Sequence, residues 1–266
     1  MQDDPQETIK QLESGITGAT NLGYRARYEF PTAAPTEAAP AKHANRLQEF
    51  FDRKFDGQGI WKWTHYFEIY DRHLSRFRNT DVRILEIGVY SGGSLEMWRD
   101  YFGPKVQIFG VDIEESCTVY RKNGVEIHIG DQSNRGFWKE FKKKVGPIDI
   151  VIDDGGHQPI QQLVSIEELL PHVRPGGVYL CEDVHGAMHP FVSYVHGLSH
   201  QLQEFRSVFK NDDNPERRLG CIPTSFQQQV ASIHMYPFVV VLERSTEPVT
   251  EFVAPKHGTA WQPYLK

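Results

Sequence analysis

The stretch at residues 84–94, Ile-Leu-Glu-Ile-Gly-Val-Tyr-Ser-Gly-Gly-Ser, limits what this chain can fold into more than any other. An apolar run passes into a glycine-rich turn, and a helix-forming segment follows at once. Strand, glycine turn and helix in that order make a crossover unit of the kind that binds cofactors. Glycine lets the backbone approach a ligand where a Cβ would collide. The first amides of the following helix favour a negative group. Read alone, the stretch also fits a tight turn with no ligand.

From residue 82 onward, strand and helix signals alternate. Strands are expected at 82–87, 106–111, 126–129, 148–152 and 178–181, the last introduced by Pro175-Gly176-Gly177. Helices are expected at 95–101, 137–144, 160–170 and 192–209. Residues 230–235 and 238–243 flank Tyr236-Pro237 as a closing hairpin. This alternation predicts an α/β fold, a mostly parallel sheet covered by helices on both faces. Upstream, 43–55 and 62–77 read as helices whose aromatics serve packing, although Lys62, His65 and Tyr66 are placed to cover a site. Residues 1–44 read as a polar, irregular arm, with prolines at 31, 35 and 40 marking an extended linker. The expected organisation is an arm at 1–44, a helical cap segment at 45–80 and the main domain at 81–266.

Composition excludes several classes. A net charge of −6 argues against a general polyanion-binding surface and hence against a nucleic-acid partner. No apolar run approaches the ~20 residues of a membrane span, and residues 1–10 lack the apolar core of a secretory signal. Cys117, Cys181 and Cys221 have neither zinc-ligand nor redox spacing, so reduced thiols in a cytoplasmic protein are expected. A homo-oligomer is compatible with all of this.

In open α/β sheets, ligands collect beyond the carboxyl ends of the strands. The second strand ends in Gly110-Val111-Asp112, about twenty residues past the loop, where an acid suits a ribose diol. The third ends in Gly130-Asp131-Gln132-Ser133, whose carboxylate and amide suit an adenine amino group. Each acid singly could be a helix cap. A dinucleotide site wants G-x-G-x-x-G, whereas this loop spaces its glycines G-x-x-x-G-G behind Glu86. An acid there suits a cofactor carrying an ammonium better than a diphosphate. The motifs E-I-G-x-x-x-G-G-S, G-V-D and G-D-Q-S, within about residues 61–243, resemble those of class I S-adenosylmethionine-dependent methyltransferases. The resemblance implies a Rossmann-like, seven-stranded sheet with an inserted antiparallel strand. It implies a cofactor set of Glu86, Gly88, Ser91, Gly92, Ser94, Asp112, Asp131, Gln132 and Asp153.

The fourth strand ends in Asp153-Asp154-Gly155-Gly156-His157, and the fifth in Glu182-Asp183-Val184-His185. Neighbouring strands would bring four carboxylates into one small volume, where like charges repel strongly. Protonation, outward rotation or a divalent cation would relieve this, and an oxygen-rich set suits Mg²⁺. Asp-Asp-Gly-x-His followed by Glu-Asp, with Lys-Trp-x-x-His-Tyr and Gly-Asp-Gln-Ser, resembles the metal-dependent macrolide sugar O-methyltransferases. The rhamnosyl O-methyltransferase and cephalosporin hydroxylase family is similar in its acidic pairs. The resemblance implies Asp154, Glu182 and Asp183 as metal ligands and His157 as general base. His185, His189, His65 and Tyr66 are second-tier candidates for shaping an acceptor pocket, each read first as structural. The activity implied is Mg²⁺-dependent methyl transfer from S-adenosylmethionine to a hydroxyl of a sugar or polyhydroxylated small molecule, a natural-product glycoside foremost. Two departures stand out. Only about eighty residues precede the first strand, fewer than the macrolide enzymes' auxiliary domain, and residues 184–188 depart from the usual segment there. The other readings are an NAD-linked oxidoreductase, disfavoured by the glycine spacing, and a binding protein without turnover. An iron oxygenase is disfavoured because the acids and His157 make no two-His-one-carboxylate set.

Overall fold

The computed structural model describes residues 4–15, 45–122, 124–186, 189–204, 208–210, 219–255 and 257–258. Its centre is a seven-stranded sheet formed by β1 (Arg83–Ile87), β2 (Gln107–Asp112), β3 (Val125–Ile129), β4 (Ile148–Asp153), β5 (Val173–Cys181), β8 (Val230–Tyr236) and β9 (Val239–Arg244). The strand order is β3-β2-β1-β4-β5-β9-β8. The first five run parallel, and β9 is inserted antiparallel between β5 and β8. This is the expected Rossmann-like class I methyltransferase sheet, with the hairpin at Tyr236-Pro237 supplying the reversed strand.

Strand parity sorts the core. Side chains on a strand alternate between the two faces. Ile84, Ile150, Ile152, Val178 and Leu180 therefore pack on one face, under α2 (Arg46–Asp52), α3 (Tyr66–Leu74) and α4 (Gly93–Phe102). Leu85, Ile87, Val151, Tyr179 and Cys181 pack on the other, under α5 (Arg135–Val145), α6 (Pro159–Leu169) and α7 (Pro190–Leu202). Glu86 and Glu182 have the parity of the first face, and Asp153 that of the second.

Four elements differ from the sequence-based expectation. Pro5–Gly15 forms α1, which packs on α6 and α7. Asp4 starts it by accepting from the Gln6 amide (3.0 Å), and Pro5 occupies the first turn, where its missing N–H costs nothing. The helix expected at 62–77 begins only at Tyr66, leaving Lys62 and Trp63 in extended chain. The helix expected at 192–209 ends at Leu202, because Val208–Lys210 (β6) pairs with Leu219–Cys221 (β7), and Phe252–Ala254 (β10) completes a small second sheet. Finally β5 starts at Val173, so Pro175-Gly176-Gly177 lies inside it, where its register with β4 shifts. The linker around 31–40, the acidic loop at 211–215 and Met188 lie outside the described residues. The three cysteines are free and buried. Among the described residues no helix is long and apolar enough to cross a membrane.

Candidate active site

A cavity of about 670 Å³ opens at the carboxyl ends of β1, β2, β4 and β5. That is within the ordinary range for small-molecule sites. Gly88, Ser91, Ser94, Asp112, Asp131, Gln132, Asp154, His157, Glu182 and Asp183 all line it, whereas Glu86, Gly92 and Asp153 do not.

The glycine loop is shaped first by the chain itself. Gly88 has φ 88°, and a Cβ there would collide with the Asp154 carbonyl. The close approach read from the sequence as an approach to a ligand is thus also an approach of β1 to β4. Asp112 holds this loop: Oδ2 accepts from the amides of Val89 and Tyr90 (2.9 Å each), and Oδ1 from Glu114 (2.9 Å). Three of its roughly four acceptor positions are taken, leaving one toward the cavity rather than the pair expected for a diol. Asp131 Oδ1 likewise caps its own turn through the Ser133 amide (2.8 Å) and hydroxyl (2.7 Å). The Gln132 amide, expected to meet an adenine, is spent internally on Asp153 (3.0 Å), Ser165 (3.1 Å) and the Gly156 amide (2.8 Å).

Parity then separates the acids. Asp153, expected at the cofactor, faces the second layer, where Tyr179 (2.7 Å) and Gln132 bond it; burial pushes it up to about 6. Glu86 and Glu182 face the first layer, both fully buried. Lys62 enters between them. Its ammonium contacts Asp154, lies 2.9 Å from Glu182 Oε2 and 3.8 Å from Glu86 Oε1, and is buried. Burial works against that charge, but Asp154, Glu182 and Glu86 outweigh it and keep the ammonium protonated. Burial in turn raises the carboxyls of Glu86, Asp154 and Glu182, Lys62 opposing in each case.

Ser94 of α4 donates to Glu86 Oε2 (2.7 Å), and the segment before and into α3 supplies the donors to Glu182 and Asp183. Tyr66 and Tyr70 stand one turn apart on one helix face. Tyr66 donates to Asp183 Oδ1 (2.6 Å) and Tyr70 to Glu182 Oε1 (2.6 Å), while Trp63 Nε1 donates to Asp183 Oδ1 (3.1 Å). Burial raises both phenols well above their ordinary range, so they remain neutral donors. The sequence reading had these aromatics as packing. It did place Lys62, His65 and Tyr66 over a site; what it did not find is that Lys62, Trp63, Tyr66 and Tyr70 bond the acids of the strand tips, a pairing that only the topology creates.

What stays open at the front is an oxygen-rich trio with one imidazole. Ligand atoms of Asp154, His157 and Asp183 lie within 4.8 Å of one another. His157 Nε2 is 3.5 Å from Asp183 Oδ2 and 3.9 Å from Asp154 Oδ1. His157 and Asp183 both hold left-handed backbones (φ 56° and 51°). Such conformations cost on the order of 1–3 kcal/mol each and cluster at functional sites. A surplus of carboxylates and a free oxygen on each of two strand tips, Asp154 Oδ1 and Asp183 Oδ2, fit a hard divalent cation. Glu182 stands behind this opening with both oxygens engaged by Tyr70 and Lys62. A second trio, His73, His234 and Glu243, lies outside the cavity; His73 there bonds Glu243 (2.6 Å) and Tyr236 (2.9 Å).

Aromatics line the mouth beside Asp183. Trp61 is 87% exposed, and Trp63 packs 5.4 Å from Phe238, which also meets His65 and His185. Phe238 sits at the hairpin tip with φ 66°.

Sheet order and cavity together define a class I methyltransferase domain. Residues 85–184 match the family model described as a methyltransferase domain, Methyltransf_24. The chain is 40% identical over 166 residues to mycinamicin VI 2''-O-methyltransferase of Micromonospora griseorubida, covering 58% of this chain and 41% of that protein. It is 32% identical over 226 residues to a rhamnosyl-tetracenomycin-C 3'-O-methyltransferase of Streptomyces olivaceus, covering 76% and 54%. The structure of MycE, the methyltransferase of the mycinamycin pathway in complex with Mg and SAH, superposes with a TM-score of 0.61 at 31% identity, covering 75% of this chain and 54% of that one. The chain thus spans about half the length of these relatives.

Proposed function

We propose that this chain is a divalent-cation-dependent O-methyltransferase that moves a methyl group from S-adenosylmethionine to a sugar hydroxyl of a glycosylated natural product. The observation that carries this is the open trio of Asp154, His157 and Asp183, set in the same cavity as the glycine loop and Asp112. The relatives that methylate mycinamicin VI and a rhamnosyl tetracenomycin support the substrate class.

Asp154 and Asp183 would hold the cation through their free oxygens, with Glu182 behind them. A bound cation would lower the acceptor hydroxyl's pKa and fix its oxygen, and S-adenosylmethionine would supply the methyl. His157 would take the hydroxyl proton on Nε2, the ring nitrogen that faces the two aspartates in the cavity. The buried Nδ1 of His157 has no protein partner, so the ring is not committed to another role. Asp112 keeps one acceptor position for a ribose hydroxyl, and exposed Ile113 beside it offers an apolar face to a base. Trp61, Trp63 and His185 give the acceptor a flat wall, against which the C–H face of a sugar ring packs.

Titration calorimetry tests the cofactor. S-adenosylhomocysteine is expected to bind and NAD is not; NAD binding with no response to S-adenosylhomocysteine would instead support the oxidoreductase reading.

A further inference from the structure

We propose that Lys62 is the built-in counter-cation of the carboxylate cage, occupying its rear so that the cage stays assembled without metal, and that it opposes the entering cation. This rests on the metal reading above.

Three carboxyls converge on one ammonium: Asp154 in direct contact, Glu182 Oε2 at 2.9 Å and Glu86 Oε1 at 3.8 Å. Only 3% of the Lys62 side chain is exposed, and the Glu86 and Glu182 side chains are 0% and 1% exposed. Charges so buried persist only when paired. Asp183 has no contact with the lysine and is held instead by neutral donors, Tyr66 and Trp63. The cage therefore carries its one fixed positive charge at the rear, while Asp154 Oδ1 and Asp183 Oδ2 at the front are left with His157 alone beside them.

Two consequences follow from charge alone. Removing the ammonium leaves buried carboxylates unpaired in the metal-free chain. It also removes a positive charge that repels an entering cation across a few ångströms of low-dielectric protein. Lys62 and the divalent cation thus compensate the same negative charge, and each matters more when the other is absent. Lys62 is a positioning residue on this account: it touches the ligand carboxyls and not the reacting atoms.

Thermal unfolding of the native chain, Lys62→Met and the double variant Lys62→Met/Glu86→Gln, each in EDTA and in excess Mg²⁺, separates this from simple packing. In EDTA, Lys62→Met is expected to unfold about 10 °C lower, as for loss of a buried charge partner in a chain of this size. Its Mg²⁺-induced rise should be at least about twice that of the native chain, since the metal-free reference is weakened and the repulsion is gone. Glu86→Gln in the same background, by removing one surplus carboxylate, should recover part of the loss in EDTA. An unchanged midpoint for Lys62→Met in EDTA, or a Mg²⁺ response no larger than native, would overturn the proposal. So would a Lys62→Met chain that fails to fold even in Mg²⁺. No Mg²⁺ response in the native chain would instead count against the metal reading, and the EDTA comparison would still test the lysine.

Discussion

His157 carries the sharpest prediction that rests on a single side chain. It is half-buried, in a left-handed turn after β4, with Nε2 facing both Asp183 and Asp154. That position suits a base receiving a proton from a metal-held hydroxyl, and it also suits a third metal ligand. Replacing it with alanine is expected to cost the ~10²–10⁴-fold in kcat typical of a lost general base, while Mg²⁺ affinity measured by calorimetry stays as in the native chain. A parallel loss of Mg²⁺ affinity would make His157 a ligand instead. The sequence brought four acids to neighbouring strand tips and gave Asp153 to the cofactor, whereas the structure turns Asp153 to the other layer and leaves Asp154, Glu182 and Asp183 at the cavity. Parity could have shown this: Asp153 follows Val151 on the far face, and Glu182 follows Leu180 on the near one. Lys62 was not legible as a cage member, because nothing local ties residue 62 to residues 154 and 182; only the path of the chain over the strand tips does.

The stretch at 61–65 and helix α3 act together on the cage. Their donors reach Asp183 and Glu182 from one side, fixing both carboxyls before any cation arrives. Residues that orient metal ligands typically contribute 10–100-fold to metal affinity. Tyr66→Phe and Tyr70→Phe should therefore each weaken Mg²⁺ binding by about tenfold or more, read by calorimetry without any turnover. Equal affinity in both variants would reduce the segment to a packing element.

Helices α5 and α6 are joined by a different device. Arg135 bonds Glu167 and Glu168, and Lys142 bonds Glu168 (2.7 Å). Burial opposes the charge on Glu168, yet Lys142 and Arg135 together hold its carboxyl below the usual range. A carboxyl depressed on folding stabilises fully above its unfolded pKa and loses that contribution as pH falls through the folded value. Stability should thus decline below about pH 4.5, and Glu168→Gln should show a shallower decline there in thermal unfolding. An identical acid profile for the variant would remove this pair from the account.

The elements themselves were legible wherever apolar periodicity was long. The five parallel strands and the closing hairpin fall within a few residues of expectation. Helix α1 was missed because the polar composition of 1–15 hid the cap formed by Asp4 and Pro5. Strands β6, β7 and β10 were missed because three-residue strands carry no period, and their partners lie far apart in sequence.

The fold brings one chemistry together from separate places. A parallel sheet aligns the tips of β1, β2, β4 and β5, so a glycine loop, Asp112 and the three acids Asp154, Glu182 and Asp183 meet around one cavity. The chain upstream of β1 crosses above them and closes the rear of the acidic cage. On the proposed reading, a cation sits at the front of that cage beside the cofactor, with aromatic side chains at the entrance. Turnover with S-adenosylmethionine and a deoxysugar glycoside, measured after EDTA treatment and again after adding Mg²⁺, tests that most directly. Methyl transfer should vanish in the chelator and return with the cation; an undiminished rate in EDTA would contradict the role given to Asp154, Glu182 and Asp183.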